Sequence, residues 1–446
     1  MRAIIPNYLE SIRKHAHPIT GATQDYDPLL NRIGDASFVL IGEASHGTHE
    51  FYRHRAAITK RLIDEKQFAA VAVEADWPDA YRVKRFVRGE STDTEAVDAL
   101  GDFKRFPTWM WRNADVLDFV GWLRQHNDRV ESGKQKVGFY GLDLYSLYTS
   151  IEAVLAYLSK VDPDAAQRAR RRYSCFEHLD QDPQRYGYAA GSGLIESCED
   201  AVVEQLLELQ RRALELPKRD GWSAADELFF AEQNARLVRN AEEYYRSMFR
   251  GATASWNLRD QHMSDTLDAL HGHLSDGKGK TKIVVWAHNS HLGDARATQM
   301  GDQGELNVGQ LTRERYGRDA VLIGFSGHSG TVTAANEWDA PAERMHVRPA
   351  LPASYEDLFH NLGMQSWLVV LNDGTRNLVD IPKALLQRAI GVIYRPQTER
   401  GSHYFQARLS DQFDAMIHFD VTRAVEPLER HPTWETGEWE TFPSGM

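Results

Sequence analysis

Cysteine is nearly absent, with only Cys175 and Cys198 in 446 residues. Two cysteines build no disulfide framework, and neither stands in the paired spacing of a thiolate metal site. Long apolar runs are missing as well, since no stretch approaches the ~20 residues that a membrane-spanning helix needs. The first segment, MRAIIPNYLESIRKHAHPI, turns polar too soon for a signal peptide. A soluble, cytoplasmic chain without a membrane partner is expected. Positive charge is also in deficit: 52 Lys and Arg against 64 Asp and Glu give a net charge of −12. That balance argues against a nucleic-acid partner, because phosphate-backbone binders carry a basic face. The dense basic cluster Arg168, Arg170, Arg171 and Arg172 follows a Pro-Asp-Ala-Ala start and reads as the solvated side of a helix.

What is present is a hydrophobic fraction of 42%, enough for a sizeable core. Short β-rich runs stop abruptly at polar residues. Ser37-Phe38-Val39-Leu40-Ile41 runs into Gly42-Glu43-Ala44-Ser45-His46-Gly47, and Ala69-Ala70-Val71-Ala72-Val73 into Glu74-Ala75-Asp76. Lys136 to Leu142 ends at Asp143, and Lys282 to Ala287 ends at His288-Asn289-Ser290-His291. Ala320 to Phe325 and Trp367 to Leu371 look like further members, and shorter apolar runs recur at 391–394 and 415–419. Continuous runs of this kind suit strands buried on both faces of a parallel sheet. Residues 50–66, 78–88 and 113–128 carry helical spacing between them.

From about 145 to 275 no convincing strand occurs. Helical patterns fill this stretch, broken at Gly187, Gly191 and Gly193 and again at Pro217 and Gly221. The expected fold is α/β, a mostly parallel central sheet flanked by helices, with a helical insertion as a side or cap domain. The expected organisation is 1–145 as the first half of the catalytic core, 146–275 as the insertion, and 276–446 as the second half with a C-terminal extension. Residues 429–446, rich in Pro, Gly, Glu and Trp, read as an extended surface end.

In an open parallel sheet, ligands bind beyond the carboxyl ends of the strands. Here four such ends carry acids or histidines, so one cleft is expected to gather Glu43, His46, Glu74, His288 and His291, with Asp143 nearby. Each residue also has a plainer role. A histidine after a strand commonly packs or caps, a glutamate pairs with an arginine, and Asp143 suits the start of the helix that follows. The coincidence of proton-handling types at four ends favours a hydrolytic site. His46 is the candidate base, Glu43 or Glu74 its orienting carboxylate, and His288 the donor to an oxyanion or leaving group. Arg53 and Arg55 follow on the next helix, and Arg53 reads as solvated. Neither Ser45 nor Ser290 stands in a G-x-S-x-G elbow, so attack by water is expected rather than an acyl-enzyme. The same set, Glu43, His46, Glu74, His288 and His291, could alternatively hold a divalent metal, although no cofactor is required by the reading. Trp109-Met110-Trp111 suits either the core or the lining of an apolar cleft.

Taken together and in order, IGEASHGTHEFYRHRAAITKRL, VAVEADW, GFYGLDL, NLRDQHMSDTL, VVWAHNSHLGDARATQMG and GFSGHSG, spanning residues 35–335, resemble the erythromycin esterase family. The resemblance implies an α/β core with a helical side domain. It also implies a hydrolase, metal-independent or weakly metal-linked, that opens a macrolide lactone with an activated water. By motif match His46 takes the general-base position with Glu43 beside it, and Arg55, Glu74 and His288 match further active-site positions. Arg259 and Asp260 fall in an Arg-Asp motif of the family. The expected partner is a bulky small-molecule ester or lactone, a macrolide being one candidate. A metal-dependent hydrolase acting on an amide or peptide bond, and a non-catalytic small-molecule binding protein, are the alternative readings.

Overall fold

The computed structural model describes residues 5–430, apart from 132–133, 178–181, 216–220, 250 and 276–279, together with 432 and 434. The surface tail expected at 429–446 and the break at Pro217 fall largely outside the described residues. Eleven strands are described, in chain order β1 (His17–Pro18), β2 (Phe38–Ile41), β3 (Ala70–Asp76), β4 (Gly138–Asp143), β5 (Ile283–Trp286) and β6 (Ala320–Ala334). There follow β7 (Glu343–Val347), β8 (Ser366–Val370), β9 (Leu385–Arg388), β10 (Tyr404–Ala407) and β11 (Ala415–Thr422). The chain divides into two compact units. The first comprises residues 1–71, 85–138 and 280–446, and the second 72–84 and 139–279.

In the first unit the strand order is β1-β8-β11-β6-β2-β5, with β7 on β6. The centre is parallel: Phe38 of β2 stands in register with Ile283 of β5 and with Ala320 of β6. β11 is parallel to β6, with His418 opposite Ser326. Every residue of β2 and β5 is buried, as their unbroken apolar sequences require of strands covered on both faces. One cover is the pair of helices His49–Lys66 and Ala114–Asp128. Trp286 of β5 packs against the tilted ring of Phe119 at 4.6 Å and donates its indole N–H to Thr59 Oγ1 at 2.9 Å.

Two apolar runs behave differently from the pattern in sequence. β8, holding Trp367–Val370, is antiparallel to β11, and β1 is antiparallel to β8, so the sheet is mixed at this edge. The run at 391–394 forms no strand. Its Tyr394 is fully buried in a cluster with Val332, Met345, Val347 and Ile390, held by Tyr394 N–H to Ala335 O at 3.0 Å. Trp109, Met110 and Trp111 are all buried, and the Asn113 amide binds the carbonyls of Trp109 and Met110. That stretch belongs to the core.

The second unit is helical after β3 and β4, with helices at Leu147–Val161, Pro163–Tyr173, Pro183–Gly191, Glu199–Glu215, Gly221–Ser247 and Ala252–Ser275. Gly187 interrupts nothing. It lies within a helix, where an added Cβ would come 2.1 Å from the Tyr245 carbonyl oxygen, so the glycine permits close packing of two helices. The basic cluster is not simply solvated: Arg168 pairs with Glu208 at 2.6 Å, and Arg172 pairs with Glu204 at 2.8 Å. Cys175 and Cys198, to which the sequence assigns no role, are joined by a disulfide with Cα atoms 6.0 Å apart. No described helix is long and apolar enough to cross a membrane.

Candidate functional site

The loop after β2 is fixed by its backbone. Gly42 N–H donates to Ile323 O at 2.8 Å, and Glu43 O accepts from Asn289 N–H at 2.8 Å. Ala44 O accepts from Ile390 N–H at 2.9 Å, while Gly47 O accepts from both Thr333 and Val425. Two glycines are required by space. A Cβ on Gly42 would meet Asn289 Oδ1 at 2.1 Å, and one on Gly47 would meet the Thr333 carbonyl oxygen at 1.8 Å. A loop tied to four neighbouring segments leaves its side chains little freedom.

Glu43, fully buried, projects from this loop and accepts from His46 Nδ1 at 2.9 Å through Oε1. Its Oε2 lies 3.2 Å from the guanidinium of Arg55, which is also fully buried. Arg55 is sandwiched between aromatic rings, 4.5 Å from the centroid of Tyr52 and 4.7 Å from that of Trp286. Tyr52 closes the loop by donating its hydroxyl to His46 O at 2.8 Å. Arg55 faces inward and Arg53 outward because they are two residues apart on one helix.

β5 delivers the second imidazole. His288 is buried, and its ring lies 4.9 Å from that of His46, centroid to centroid. Its Nδ1 accepts the Ser290 backbone N–H at 3.2 Å and lies 2.8 Å from Ser290 Oγ. A ring nitrogen that accepts a backbone N–H carries no proton, which places the His288 proton on Nε2. The same logic gives the neutral His46 ring the opposite tautomer: a carboxylate only accepts, so Nδ1 carries the proton and Nε2 is the lone-pair nitrogen. His291 lies buried in the short helix Asn289–Leu292. Ser45 Oγ is hydrogen-bonded to Thr48 Oγ1.

Glu74, Asp143 and Arg259 form a constellation within the second unit. Arg259 grips Asp143 with two bonds, Nε to Oδ1 at 3.0 Å and Nη2 to Oδ2 at 2.7 Å, and reaches Glu74 Oε1 at 2.8 Å. Its guanidinium lies 4.9 Å from the Tyr145 ring centroid. Burial opposes the charge of Arg259, but Asp143, Tyr145 and Glu74 outweigh it and raise the pKa well above the ordinary value. Asp143 is thus a bidentate anchor rather than a helix cap. The helix that follows begins at Leu147, and Asp143 instead accepts from Leu144 N–H at 2.9 Å. Asp260 is fully buried on the helix Ala252–Ser275. Two residues later, burial pushes the His262 imidazole down to about 4, with Asn240 Nδ2 donating to its Nδ1 at 2.8 Å. His262 carries no signal in sequence that separates it from a packing histidine.

Residues 63–422 match the erythromycin esterase family model. The chain belongs to the erythromycin esterase family. Erythromycin esterase type II of Escherichia coli is 21% identical over 90% of this chain and 93% of its own length. Erythromycin esterase type I of Escherichia coli is 20% identical, covering 88% and 92%. Among solved structures, a mutant of erythromycin esterase EreC in its open conformation shares the fold with a TM-score of 0.65 at 19% identity, over 91% of this chain and 95% of that one. The chain is therefore a hydrolase of the erythromycin esterase family with a largely parallel α/β core. Glu43, His46 and Arg55 precede the span matched by the family model, so the argument for them is geometric.

Proposed function

We propose that this erythromycin esterase family member cleaves an ester or lactone of a bulky small molecule by His46-activated attack of water. The observation that carries the reading is two imidazoles only 4.9 Å apart, one bonded through Nδ1 to a carboxylate and the other to a backbone N–H. His46 Nε2 has a lone pair to take a proton from water, and the Glu43 carboxylate on Nδ1 stabilises the imidazolium that results. His288 Nε2–H is a donor for the oxygen that becomes negative as the tetrahedral intermediate forms. The intermediate then collapses, the ester C–O bond breaks, and the proton on His46 Nε2 passes to the leaving alkoxide. Atoms balance to acid plus alcohol, with the histidine restored.

Arg55 is a positioning residue in this scheme, holding Glu43 through the oxygen that His46 does not use. No step is assigned to Glu74, which Arg259 holds, and none requires a metal. A macrolide lactone is the first substrate to try. The test is His46→Asn, which keeps a hydrogen bond to Glu43 and loses the base. Hydrolysis of macrolides and simple lactones, followed by product mass, should fall by about 10²–10⁴-fold. Turnover at the wild-type rate in a folded His46→Asn chain would remove the mechanism.

A further inference from the structure

β6, β11 and the helix Tyr355–His360 bring four metal-competent side chains together in the first unit. His328 comes from β6, His418 and Asp420 from β11, and His360 from the last position of the helix. Donor atoms of His328, His360 and Asp420 all lie within 4.8 Å of one another. The His328 and His360 rings stack at 3.9 Å, 9° from parallel, and His360 Nδ1 lies 2.6 Å from Asp420 Oδ1.

His418 supplies an independent observation. It is fully buried, and Ser326 Oγ holds its Nδ1 at 2.8 Å. Its Nε2 has no hydrogen-bond partner and stands 3.8 Å from Asp420 Oδ1. An ordinary His–Asp pair explains His360 with Asp420. It does not explain why a buried ring nitrogen is left facing the same carboxylate beyond hydrogen-bond reach, which carries a desolvation penalty. In the tautomer whose Nδ1–H donates to Ser326, Nε2 presents a lone pair toward a carboxylate, an arrangement that a cation between them satisfies. A partner on the far ring nitrogen is also how proteins orient metal-binding histidines. The nearby cation Arg388, which donates to His328 O at 2.9 Å, is itself paired with Glu399 at 3.1 Å.

We propose that His328, His360 and Asp420, with His418 as fourth donor, bind a divalent transition-metal ion that ties the end of helix Tyr355–His360 to β6 and β11. Three imidazoles and one carboxylate suit Zn²⁺ and its neighbours rather than Mg²⁺ or Ca²⁺, which prefer all-oxygen shells. Tetrahedral Zn²⁺ sets its donors roughly 3.3 Å apart, so the cluster contracts on binding. The parallel rings cannot both direct lone pairs at one ion, so the His360 ring turns out of the stack. Its side chain is 46% exposed, which leaves it room to do so. The proton shared by His360 and Asp420 is released to solvent.

The test uses the full chain, stripped with chelator and dialysed against Zn²⁺, with bound metal counted per chain and thermal unfolding followed in parallel. Wild type should take up one Zn²⁺ that is lost or bound at least ~10-fold more weakly in both His360→Gln and Asp420→Asn. The Zn²⁺-dependent rise in unfolding temperature should vanish with it, while both metal-free variants unfold near the metal-free wild type. Wild-type affinity in both variants overturns the proposal, as does a wild-type chain that takes up no Zn²⁺. Because neither variant touches His46 or His288, ions held there persist in all three chains and are subtracted.

Discussion

Glu43→Gln and Arg55→Met, alone and combined, probe the Glu43–Arg55 pair directly. Both side chains are fully buried, and the closest charged atoms are 3.2 Å apart. At an effective dielectric of ~20 their attraction is about 5 kcal/mol. Glu43→Gln leaves a guanidinium sealed between two rings without its counter-charge, and Arg55→Met leaves a buried carboxylate supported by His46 alone. Each single change should destabilise folding by about 3–5 kcal/mol, the usual cost of breaking a buried pair from one side. The double variant buries neither charge, and its methionine keeps contact with Tyr52 and Trp286, so it should lose only about 1–2 kcal/mol. Urea unfolding of the four chains should therefore give a coupling of at least about 4 kcal/mol. Activity should separate from stability. The double variant recovers folding without recovering turnover, because the glutamine amide can donate to His46 Nδ1 and force the proton onto Nε2. A loss of roughly 10³–10⁴ in kcat follows, as for other triads whose carboxylate becomes an amide. Additive destabilisation, with coupling below about 0.5 kcal/mol, would refute the pairing, and near-wild-type turnover in Glu43→Gln would refute the tautomer argument.

Three further outcomes follow from the same geometry. Ser290→Ala should keep turnover within about tenfold of wild type, since the His288 tautomer is also set by the backbone N–H of residue 290; trapping of an acyl group on Ser290 by mass spectrometry would show a different mechanism. Gly47→Ala should destabilise by about 3 kcal/mol and lower kcat, because its Cβ would lie 1.8 Å from a backbone oxygen that cannot yield. Gly121→Ala, with nothing within 4 Å on the helix Ala114–Asp128, should instead stabilise by up to about 1 kcal/mol, and unfolding midpoints compare the two. Burial holds His262 at about 4 against an ordinary 6.5. Between those values the unfolded chain binds the extra proton, so stability falls as pH falls, by about 2 kcal/mol from roughly pH 7 to pH 5. His262→Gln should flatten that slope in denaturant titrations, and an unchanged slope would remove His262 from the account.

The strands of the central sheet were legible because burial on both faces leaves an unbroken apolar run, and β2, β5 and the first half of β6 carry one. Strand direction was not legible. Trp367–Val370 reads like its neighbours, yet β8 runs antiparallel to β11, since a run buried on both faces has the same composition in either direction. Gly187 misled for a related reason. Glycine marks a break when the backbone needs its freedom, but here it marks the absence of a side chain where two helices touch, and sequence alone does not separate the two uses.

At the site, sequence revealed the groups whose meaning is local. Glu43 and His46 are three residues apart on a loop that follows a buried strand, and their bond joins them within that loop. Arg55 needed the helix to turn it inward, beneath a loop it follows by nine residues. The partners of Arg259 were out of reach of any local pattern, because its bonds to Asp143 and Glu74 span 116 and 185 residues. The same holds for the functional content of the histidines themselves. Type and position nominate an imidazole, but whether it gives or takes a proton is decided by what its far nitrogen meets: a carboxylate at His46 and a backbone N–H at His288. Two identical side chains thereby acquire opposite roles, and a hydrolytic reading of this chain depends on that difference more than on the number of titratable residues gathered.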